Sequence, residues 1–516
     1  MMESNNIVRH FHAAVERVPH RIAIADNKAE ITFQELEKRV FEQVETNRQQ
    51  GLKAGDRVLV FVPMSIELYI HVLAIFHMGC TAVFLDEWSN IKRLKHACEI
   101  ARCDAFIGVK IAKFMGYFVG PIRKIPIWLS NHRAKKRNEQ NPKIGFISPC
   151  AIDVNSETAL ITFTTGSTQV PKAAKRTHAF LDAQFDALQK TLKTSGQVVD
   201  MPVLPIVLLT NLGEGVTSVI ADWKSSKPDQ LDPQKIVAQW NKYGVNRIIS
   251  SPYFMDQMAN FCADKSTYGN QIKEIFAGGA PVFPESAKSW LHAFPLSKTT
   301  IVYGSTEAEP ISEIDGASLS TQNPSHEMGL CVGKVVPEAE VAIVPITEEP
   351  IHLRNDTELR ELSLPKGEVG EIIVRGNHVL REYFNNPEAL RLNKIFYEGV
   401  CWHRTGDSGF IGTDGQLYLT GRASLVFHHQ GNWIYPFIQE YIIQQIPGVK
   451  IGTLIQWNQE IIYFVELEQN ADIQQIIIEL EGLEARPARI IWGKIPRDKR
   501  HNTKIDYQKM LSNFSA

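Results

Sequence analysis

The sequence predicts an α/β protein with a large N-terminal domain of mostly parallel sheets flanked by helices, a β-rich subdomain and a small C-terminal α+β domain. Three observations predict this architecture. Apolar strand patterns alternate with helical patterns at the start of the chain and again between residues 246 and 303. Short strands with turns follow from Glu368, and a separate mixture of strands and helix ends the chain. Alternating strands and helices are typical of parallel sheets covered on both faces.

The first elements alternate between strand and helix. They are predicted at residues 21–25, 32–51, 57–62, 66–78 and 81–85. Thr32 and Glu35 have the spacing of a capping box, and Gly51 is placed to end the first helix. Because the elements alternate, we expect the three strands to lie in one mostly parallel sheet.

A second run of strands and helices places glycine-bearing turns at strand ends. Strands are predicted at 246–250, 272–276 and 300–303, with a helix at 253–261 and another from Pro284. The second of these strands ends in Gly278-Gly279, and the third leads into Gly304. Open α/β sheets bind ligands at the carboxyl ends of their strands, so a site is expected at this edge.

The remainder of the chain predicts the domain division. The polar stretch 347–366 is expected at the surface, and short strands are predicted at 369–375 and 416–419. In the last part, strands are predicted at 449–456 and 461–466, with a helix at 473–480. We place the boundary at Gly421–Ser424, which gives domains 1–421 and 422–516.

Composition excludes several classes of protein. The 516 residues carry a formal net charge of −2, so no nucleic-acid partner is expected. The 7 cysteines are scattered without a C-x-x-C pair, which fits a reducing cytoplasm. The N-terminus has no signal-peptide pattern. The longest apolar stretch, 69–85, is broken by His71, His77 and Gly79, so no membrane span is expected.

The segment 161–178, ITFTTGSTQVPKAAKRTH, contains the clearest chemical motif. Small residues let backbone N–H groups approach an anion, hydroxyls can donate to phosphate oxygens, and a lysine adds charge. The candidate phosphate-binding residues are Thr164, Thr165, Gly166, Ser167, Thr168 and Lys172. A Ser/Thr-rich surface turn is the alternative. The string is not a Walker A loop, because Pro171 precedes Lys172 and Ala173 follows it.

This string resembles the phosphate loop of the adenylate-forming superfamily, which includes acyl-CoA synthetases, peptide-synthetase adenylation domains and luciferases. It departs from the family pattern at Gln169 and Ala173, where glycine is usual. A side chain at position 169 restricts a turn that glycine makes freely.

Further matches follow in the family's order and cover nearly the whole chain. Gly278, Gly279 and Ala280 resemble the turn against which adenine stacks. In the string Tyr303-Gly304-Ser305-Thr306-Glu307, the resemblance implies that the tyrosine packs on adenine, Thr306 contacts the α-phosphate and Glu307 holds Mg²⁺. Asp407 and Arg422 match the ribose-binding residues, and Lys504 matches the catalytic lysine. An ordinary turn and solvated surface charges are the alternatives for each.

The resemblance implies an ATP- and Mg²⁺-dependent enzyme that activates a small carboxylic acid, expected to carry an acyl chain, as an acyl-adenylate with release of pyrophosphate. It also implies that the small C-terminal domain is mobile. No protein nucleophile is then needed, because positioning and charge stabilisation supply the catalysis. Lys504, Thr306 and Glu307 are the catalytic candidates. Three alternatives stay open: coenzyme A as acceptor, a β-hydroxy acid that closes to a lactone, and a degenerate binding protein.

The segment Arg500–Ile505, RHNTKI, most resembles the branch of olefin-biosynthesis β-lactone synthetases, which need no coenzyme A. Residues that serve thioester formation in the family are replaced here. Ser424 stands where the family's hinge residue is usually Asp or Lys. His428 stands at the position of the usual basic residue, and Phe437 stands at the position of a glutamate. The apolar run 201–209 lacks the family's histidine. It is predicted either to line an acyl tunnel or to pack in the core.

Overall fold

The computed structural model describes residues 6–85, 91–130, 158–164, 172–193, 196–224, 227–264, 268–324, 329–497 and 505–514. Within these ranges the chain forms two large sheets covered by helices and a smaller C-terminal unit, which confirms the predicted α/β class.

The first sheet has 6 strands among the described residues. In spatial order they are Ile127–Trp128, Ala105–Gly108, Arg57–Phe61, Thr81–Phe84, Thr158–Thr164 and Lys172–Thr177. The last is antiparallel to its neighbour, and the others run parallel. The helices that precede or connect these strands are Phe33–Gln49, Ile66–His77, Ile91–Ala101, Lys110–Gly116 and Gly120–Arg123.

The second sheet has 14 strands in the part of the chain that the structure describes. Its spatial order is Glu340–Val344, Gly370–Arg375, Val400–Ile411, Leu417–Arg422, Leu330–Val335, Ala308–Asp315, Lys298–Ser305, Glu274–Gly278, Arg247–Ser250, Val199–Pro202, Thr217–Val219, Ile22–Ala25 and Glu30–Thr32, and Lys394–Tyr397 pairs with Val400–Ile411. The strands from Lys298–Ser305 to Ile22–Ala25 are parallel, and the remaining strands pair antiparallel.

Proline and capping residues set many helix starts. The α-helices with the second sheet are Val8–Arg17, His178–Thr191, Pro205–Glu214, Pro233–Tyr243, Pro252–Cys262, Pro284–Ala293, Gly316–Ser320, Asp356–Leu362 and Pro387–Asn393. Short 3₁₀ turns lie at Pro228–Gln230 and Ala423–Leu425. Proline suits a first helical turn because its φ is already helical and its missing N–H has no partner there. The capping box of Thr32 and Glu35 is present as predicted.

The expected single N-terminal sheet is wrong in one respect. The strand Ile22–Ala25 pairs with Thr217–Val219 and Glu30–Thr32 in the second sheet, whereas Arg57–Phe61 and Thr81–Phe84 pair in the first. Hydrophobic alternation identifies a strand but carries no information about its partner. The predicted surface stretch 347–366 also contains a helix, Asp356–Leu362.

The C-terminal unit has its own core. It comprises the hairpin strands Phe427–His429 and Asn432–Ile434, the sheet strands Val449–Trp457, Glu460–Leu467 and Arg489–Trp492, and the helices Pro436–Gln444, Ile473–Glu481 and Tyr507–Phe514. Ile443, Leu454 and Tyr463 are fully buried. The unit contacts the rest of the chain where Phe437 stacks on Phe283, with 5.4 Å between ring centroids.

The partly buried Glu440 of this unit gives a prediction for stability. It contacts Tyr507 and accepts a hydrogen bond from Thr453 at 2.7 Å, and burial raises the pKa of its carboxyl group from 4.5 to about 8. The folded state therefore holds a proton that the unfolded chain has lost between these pH values. Its contribution to stability is complete below pH 4.5 and falls as pH rises through about 8, with a slope of up to about 1.4 kcal/mol per pH unit.

We expect Glu440→Gln to remove this dependence. Urea unfolding at a series of pH values should show the wild-type free energy of unfolding falling relative to the variant as pH rises. Glu460→Gln, at an exposed position of the same unit, serves as the control and should run parallel to wild type. If the free energy of unfolding changed with pH in parallel for Glu440→Gln and wild type, the pH dependence would not come from Glu440.

Candidate active site

Tyr303, Asp407 and Arg422 lie on three different strands of the second sheet, and both Tyr303 and Arg422 contact Asp407. The Tyr303 hydroxyl donates to Asp407 Oδ2 at 2.8 Å, and Arg422 Nη1 donates to Asp407 Oδ1 at 2.6 Å. Asp407 and Arg422 are directly opposite in the antiparallel pairing. Both carboxylate oxygens are thus held in place, and each keeps lone pairs that can accept from a ligand hydroxyl.

The turn before Asp407 explains how its carboxylate is positioned. The Asp407 N–H donates to Thr405 Oγ1 at 3.0 Å, and the Thr405 hydroxyl donates to the Ile372 carbonyl at 2.8 Å. Gly406 has φ of +70°, and a Cβ there would lie 3.2 Å from Arg422 Nη2. Glycine is therefore favoured by the left-handed backbone, and a Cβ would also crowd the guanidinium.

The turn at Gly278 lies on the same edge of the sheet. The strand Glu274–Gly278 runs parallel to Lys298–Ser305, so both predicted turns fall at carboxyl ends. A Cβ at position 278 would lie 2.8 Å from the Val302 carbonyl oxygen, and Gly279 has φ of +85°. The following Ala280 is partly exposed. At Gly278 and Gly279 only backbone is presented, so a ring could approach this part of the turn closely.

Glu307 and Lys172 belong to a second group of polar residues, in which both lie beside Tyr383. Lys172 Nζ donates to Asn393 Oδ1 at 2.8 Å and lies 5.9 Å from the centre of the Tyr383 ring. The Tyr383 hydroxyl donates to Glu307 Oε1 at 3.3 Å. Burial lowers the pKa of Lys172, and the Glu307 carboxylate opposes that shift. The charge of Arg422 also lowers it, so the two groups of residues are electrostatically coupled.

The segment 304–307 is held by its own backbone and by a neighbouring arginine. The Glu307 N–H donates to Ser305 Oγ at 3.3 Å, and Arg176 Nη2 donates to the Thr306 carbonyl at 2.9 Å. A Cβ at Gly304 would lie 3.0 Å from the Ala308 carbonyl oxygen. These contacts fix the direction in which Thr306 and Glu307 leave the strand.

Sequence reasoning missed four residues of this site: Tyr383, Asn393, Lys394 and His403. Lys394 is buried, donates to the Leu380 carbonyl, and has its pKa lowered by burial to about 8. His403 is also buried, and burial together with the nearby Lys394 holds its pKa well below the usual range, so it is neutral at pH 7. His403 lies in the string WHRTGD, residues 402–407, which also contains Asp407, and could have been found there, whereas the other three have no motif.

Several predicted residues lie outside the described residues. They are Thr165, Gly166, Ser167, Thr168 and Lys504. Thr164 ends the strand Thr158–Thr164, and its backbone pairs with Lys172 at the start of the antiparallel partner strand. Arg497 and Ile505, on either side of the predicted lysine segment, form an antiparallel bridge.

The run 201–209 belongs largely to the core. Met201 is fully buried and accepts a hydrogen bond from Trp240 Nε1 at 3.2 Å, and Leu208 is fully buried as well. Ile206 and Leu209 line an apolar cavity beneath the helix Val8–Arg17. Core packing therefore accounts for Met201 and Leu208.

Replacing Tyr303 by phenylalanine tests the Tyr303–Asp407 contact. The variant keeps the ring but loses the hydrogen bond that holds one oxygen of the Asp407 carboxylate. Because that carboxylate is then less firmly positioned, we expect KM for ATP to rise. Tyr418→Phe is the matched control, because that hydroxyl donates to Asp414 at 2.9 Å in a turn of the same sheet. An unchanged KM for Tyr303→Phe would exclude a role for the contact in nucleotide binding.

Known proteins resemble this chain over nearly its whole length. Residues 11–384 match the family model for AMP-binding enzymes. An olefin β-lactone synthetase of Stenotrophomonas maltophilia is 28% identical, over 90% of this chain and 88% of its own. A 2-succinylbenzoate–CoA ligase of Enterococcus faecalis is 23% identical, over 90% and 89%. The amide bond synthetase McbA of Marinactinospora thermotolerans shares the fold, with a TM-score of 0.80 and 19% identity over 98% and 99% of the chains.

The family match and the fold together define an adenylate-forming enzyme. The chain belongs to the AMP-binding enzyme family. It is an AMP-forming acid ligase, which uses ATP to activate a small carboxylic acid as an acyl-adenylate and releases pyrophosphate. None of the helices in the described ranges is long and apolar enough to cross a membrane.

Proposed function

We propose that the residues of the candidate site carry the adenylation step in the following roles. Asp407 and Arg422 bind the ribose, the turn Gly278-Gly279-Ala280 and Tyr303 bind adenine, and Thr306 contacts the α-phosphate. The loop Thr164–Thr168 and Lys172 bind the β- and γ-phosphates. The observation that carries this proposal is the approach of Lys172, from the first sheet, to Glu307, Asp407 and Arg422 of the second sheet.

Mg²⁺ fits the carboxylate of Glu307. Glu307 is partly exposed, and a single carboxylate suits a hard cation whose other ligands are phosphate oxygens and water. In the described part of the chain, no group of three or more His, Cys, Asp or Glu forms a complete protein cage for a metal. The ion would supply charge neutralisation on the phosphates, while Lys172 and Lys394 add positive charge from the protein.

The chain is proposed to act as two lobes, 1–421 and 422–516. The last strand of the large sheet ends at Arg422, and a separate core begins with the hairpin Phe427–His429. Tyr441 donates to Glu285 at 2.9 Å across the contact between the lobes. A rigid swing of the small lobe would bring Lys504 to the α-phosphate, where it neutralises charge as the substrate carboxylate attacks.

The proposed acid is a long-chain β-hydroxy acid, and the proposed acceptor is its own hydroxyl. The hydroxyl oxygen bonds to the activated carbonyl carbon, the bond from that carbon to the AMP oxygen breaks, and the hydroxyl proton passes to solvent. The products are a β-lactone and AMP. Among the relatives described above, the β-lactone synthetase has the higher identity, 28% against 23% for the CoA ligase.

The positions that serve thioester formation in the family support the same acceptor. Phe437 replaces a carboxylate with a ring that stacks on Phe283, and a Cβ at Gly421 would lie 2.7 Å from Phe437 Cβ. The aromatic residue therefore packs against the end of the large lobe.

The scattered cysteines support a cytoplasmic setting for the protein.

The decisive assay compares long-chain β-hydroxy acids with the same acids lacking the hydroxyl, each with and without coenzyme A. We expect multiple turnovers of AMP release and a neutral lactone from the hydroxy acid without coenzyme A. The acid lacking the hydroxyl should give pyrophosphate and a retained acyl-adenylate. AMP release that requires coenzyme A, with a thioester as product, would instead support the CoA ligase alternative.

A further inference from the structure

Four large apolar side chains lie in the open on one short segment of the chain. Ile111 is 69% exposed, Phe114 65%, Tyr117 60% and Phe118 77%. We call these four residues the aromatic patch. The other described apolar residues that are more than half exposed are Leu296, Trp433 and Ile478, and they are far from one another in the sequence. Grouped exposure of this kind marks an interaction surface, whereas single exposed residues are ordinary.

The aromatic patch projects from a packed base. Ile111, Phe114 and Phe118 follow the helical spacing i, i+3, i+7 on and just after the helix Lys110–Gly116, so they share one face. The rings of Phe114 and Phe118 are 5.3 Å apart. On the other side, Tyr117 stacks on Trp128 at 4.8 Å, and Trp128 packs on the buried Phe106 at 5.0 Å. The exposed side chains are thus fixed to the first sheet.

The charged residues that flank the aromatic patch in the sequence are of one sign. Lys110, Arg123 and Lys124 are exposed, and no Asp or Glu occurs in the sequence between Asp104 and Glu139. The whole chain, by contrast, has a formal net charge of −2. Aromatic side chains with a rim of lysine and arginine are the combination that inserts into a lipid headgroup layer and attracts anionic lipids.

We propose that the aromatic patch and its basic rim dock this enzyme on an anionic lipid surface. The three basic residues contact headgroup phosphates, and the four apolar residues enter the boundary between headgroups and acyl chains. Attachment is peripheral and reversible, as expected for a short amphipathic element. This inference goes beyond the proposed function, because vesicle binding needs neither ATP nor acid.

The position of the aromatic patch indicates how docking would serve the enzyme. The patch follows the carboxyl end of Ala105–Gly108, and the phosphate loop follows the carboxyl end of Thr158–Thr164. These strands are parallel and separated by two others, so their ends lie on the same sheet edge, roughly 14 Å apart by strand spacing. An acid with a long chain partitions into lipid, and docking holds this sheet edge near the lipid surface.

Vesicle sedimentation of the full-length protein tests the proposal. We expect binding to vesicles of equal parts phosphatidylcholine and phosphatidylglycerol, with weaker binding to phosphatidylcholine alone and at high salt. The double variant Phe114→Ser, Phe118→Ser should lower partitioning at least about tenfold. The triple variant Lys110→Gln, Arg123→Gln, Lys124→Gln should remove the preference for the anionic vesicles.

Controls separate docking from folding and from protein contacts. Leu296→Ser, Ile478→Ser removes two exposed apolar side chains elsewhere and should leave partitioning unchanged. Thermal unfolding should be alike for all variants, because the replaced side chains are exposed. No binding to either vesicle, or binding that the Phe114 and Phe118 changes leave intact, overturns the proposal. A protein dimer that dissociates in the double variant, without vesicle binding, overturns it in favour of a protein interface.

Discussion

Replacing Lys504 by alanine is expected to lower the rate of pyrophosphate release by about 10²–10³-fold, while ATP still binds. The reason is electrostatic. Negative charge builds up between the attacking carboxylate and the α-phosphorus, and one ammonium group aimed at that charge is worth roughly 3–4 kcal/mol in the transition state. ATP itself is held mainly by contacts to the ribose and the outer phosphates in the large lobe, so its affinity should change little.

The control for this prediction is Lys509→Ala, an exposed lysine of the same tail. The tail is anchored by the buried Met510 and by the bridge between Arg497 and Ile505, so neither substitution should unfold it. Single-turnover pyrophosphate release and equilibrium dialysis with ATP measure the two quantities separately. Full-rate release by Lys504→Ala would remove this residue from the catalytic site.

Replacing Asp407 by alanine is expected to weaken ATP binding by about 10²–10⁴-fold, since two hydrogen bonds from ribose hydroxyls to a carboxylate are lost at about 1.5–3 kcal/mol each. The variant also leaves Arg422 and Tyr303 without the carboxylate that both contact. Asp407→Asn keeps the shape and an acceptor oxygen but loses the charge, so its defect should be smaller. Equilibrium dialysis with ATP measures both.

Asp414→Ala is the matched control for Asp407. Asp414 is a turn carboxylate of the same sheet, with hydrogen bonds from Gln416 and Tyr418 at 2.8 and 2.9 Å, and it lies away from the candidate site. Its removal should leave the affinity for ATP unchanged. Unaltered ATP binding in Asp407→Ala would mean that the Tyr303–Asp407–Arg422 group is structural only.

Local signals predicted the elements well, and long-range pairing could not be read from them. Thr32 and Glu35 predicted a capping box because both partners lie within one helical turn. Ile22–Ala25 was recognised as a strand, but its assignment to the first sheet was wrong, since its partner Thr217–Val219 lies far along the chain. Hydrophobic periodicity indicates that a strand is buried but does not identify the strand that pairs with it.

In the candidate site, too, local motifs could be recognised in the sequence and long-range contacts could not. Strings that match the family predicted Asp407, Arg422, Tyr303 and Glu307, and these residues form two contacting groups. The resemblance did not indicate that the Tyr303 hydroxyl donates to Asp407. Tyr383 and the consecutive residues Asn393 and Lys394 were missed because no motif surrounds them. The roles of these residues remain predictions for the variants above.

The most direct test of acid adenylation follows the oxygen atoms of the substrate. An acid labelled with heavy oxygen in its carboxylate is incubated with enzyme, ATP and Mg²⁺, and the nucleotide product is examined by mass spectrometry. Attack of the carboxylate on the α-phosphorus predicts AMP that carries one heavy oxygen, together with unlabelled pyrophosphate, whichever acceptor takes the acyl group. Unlabelled AMP, or ADP with labelled phosphate, would contradict it.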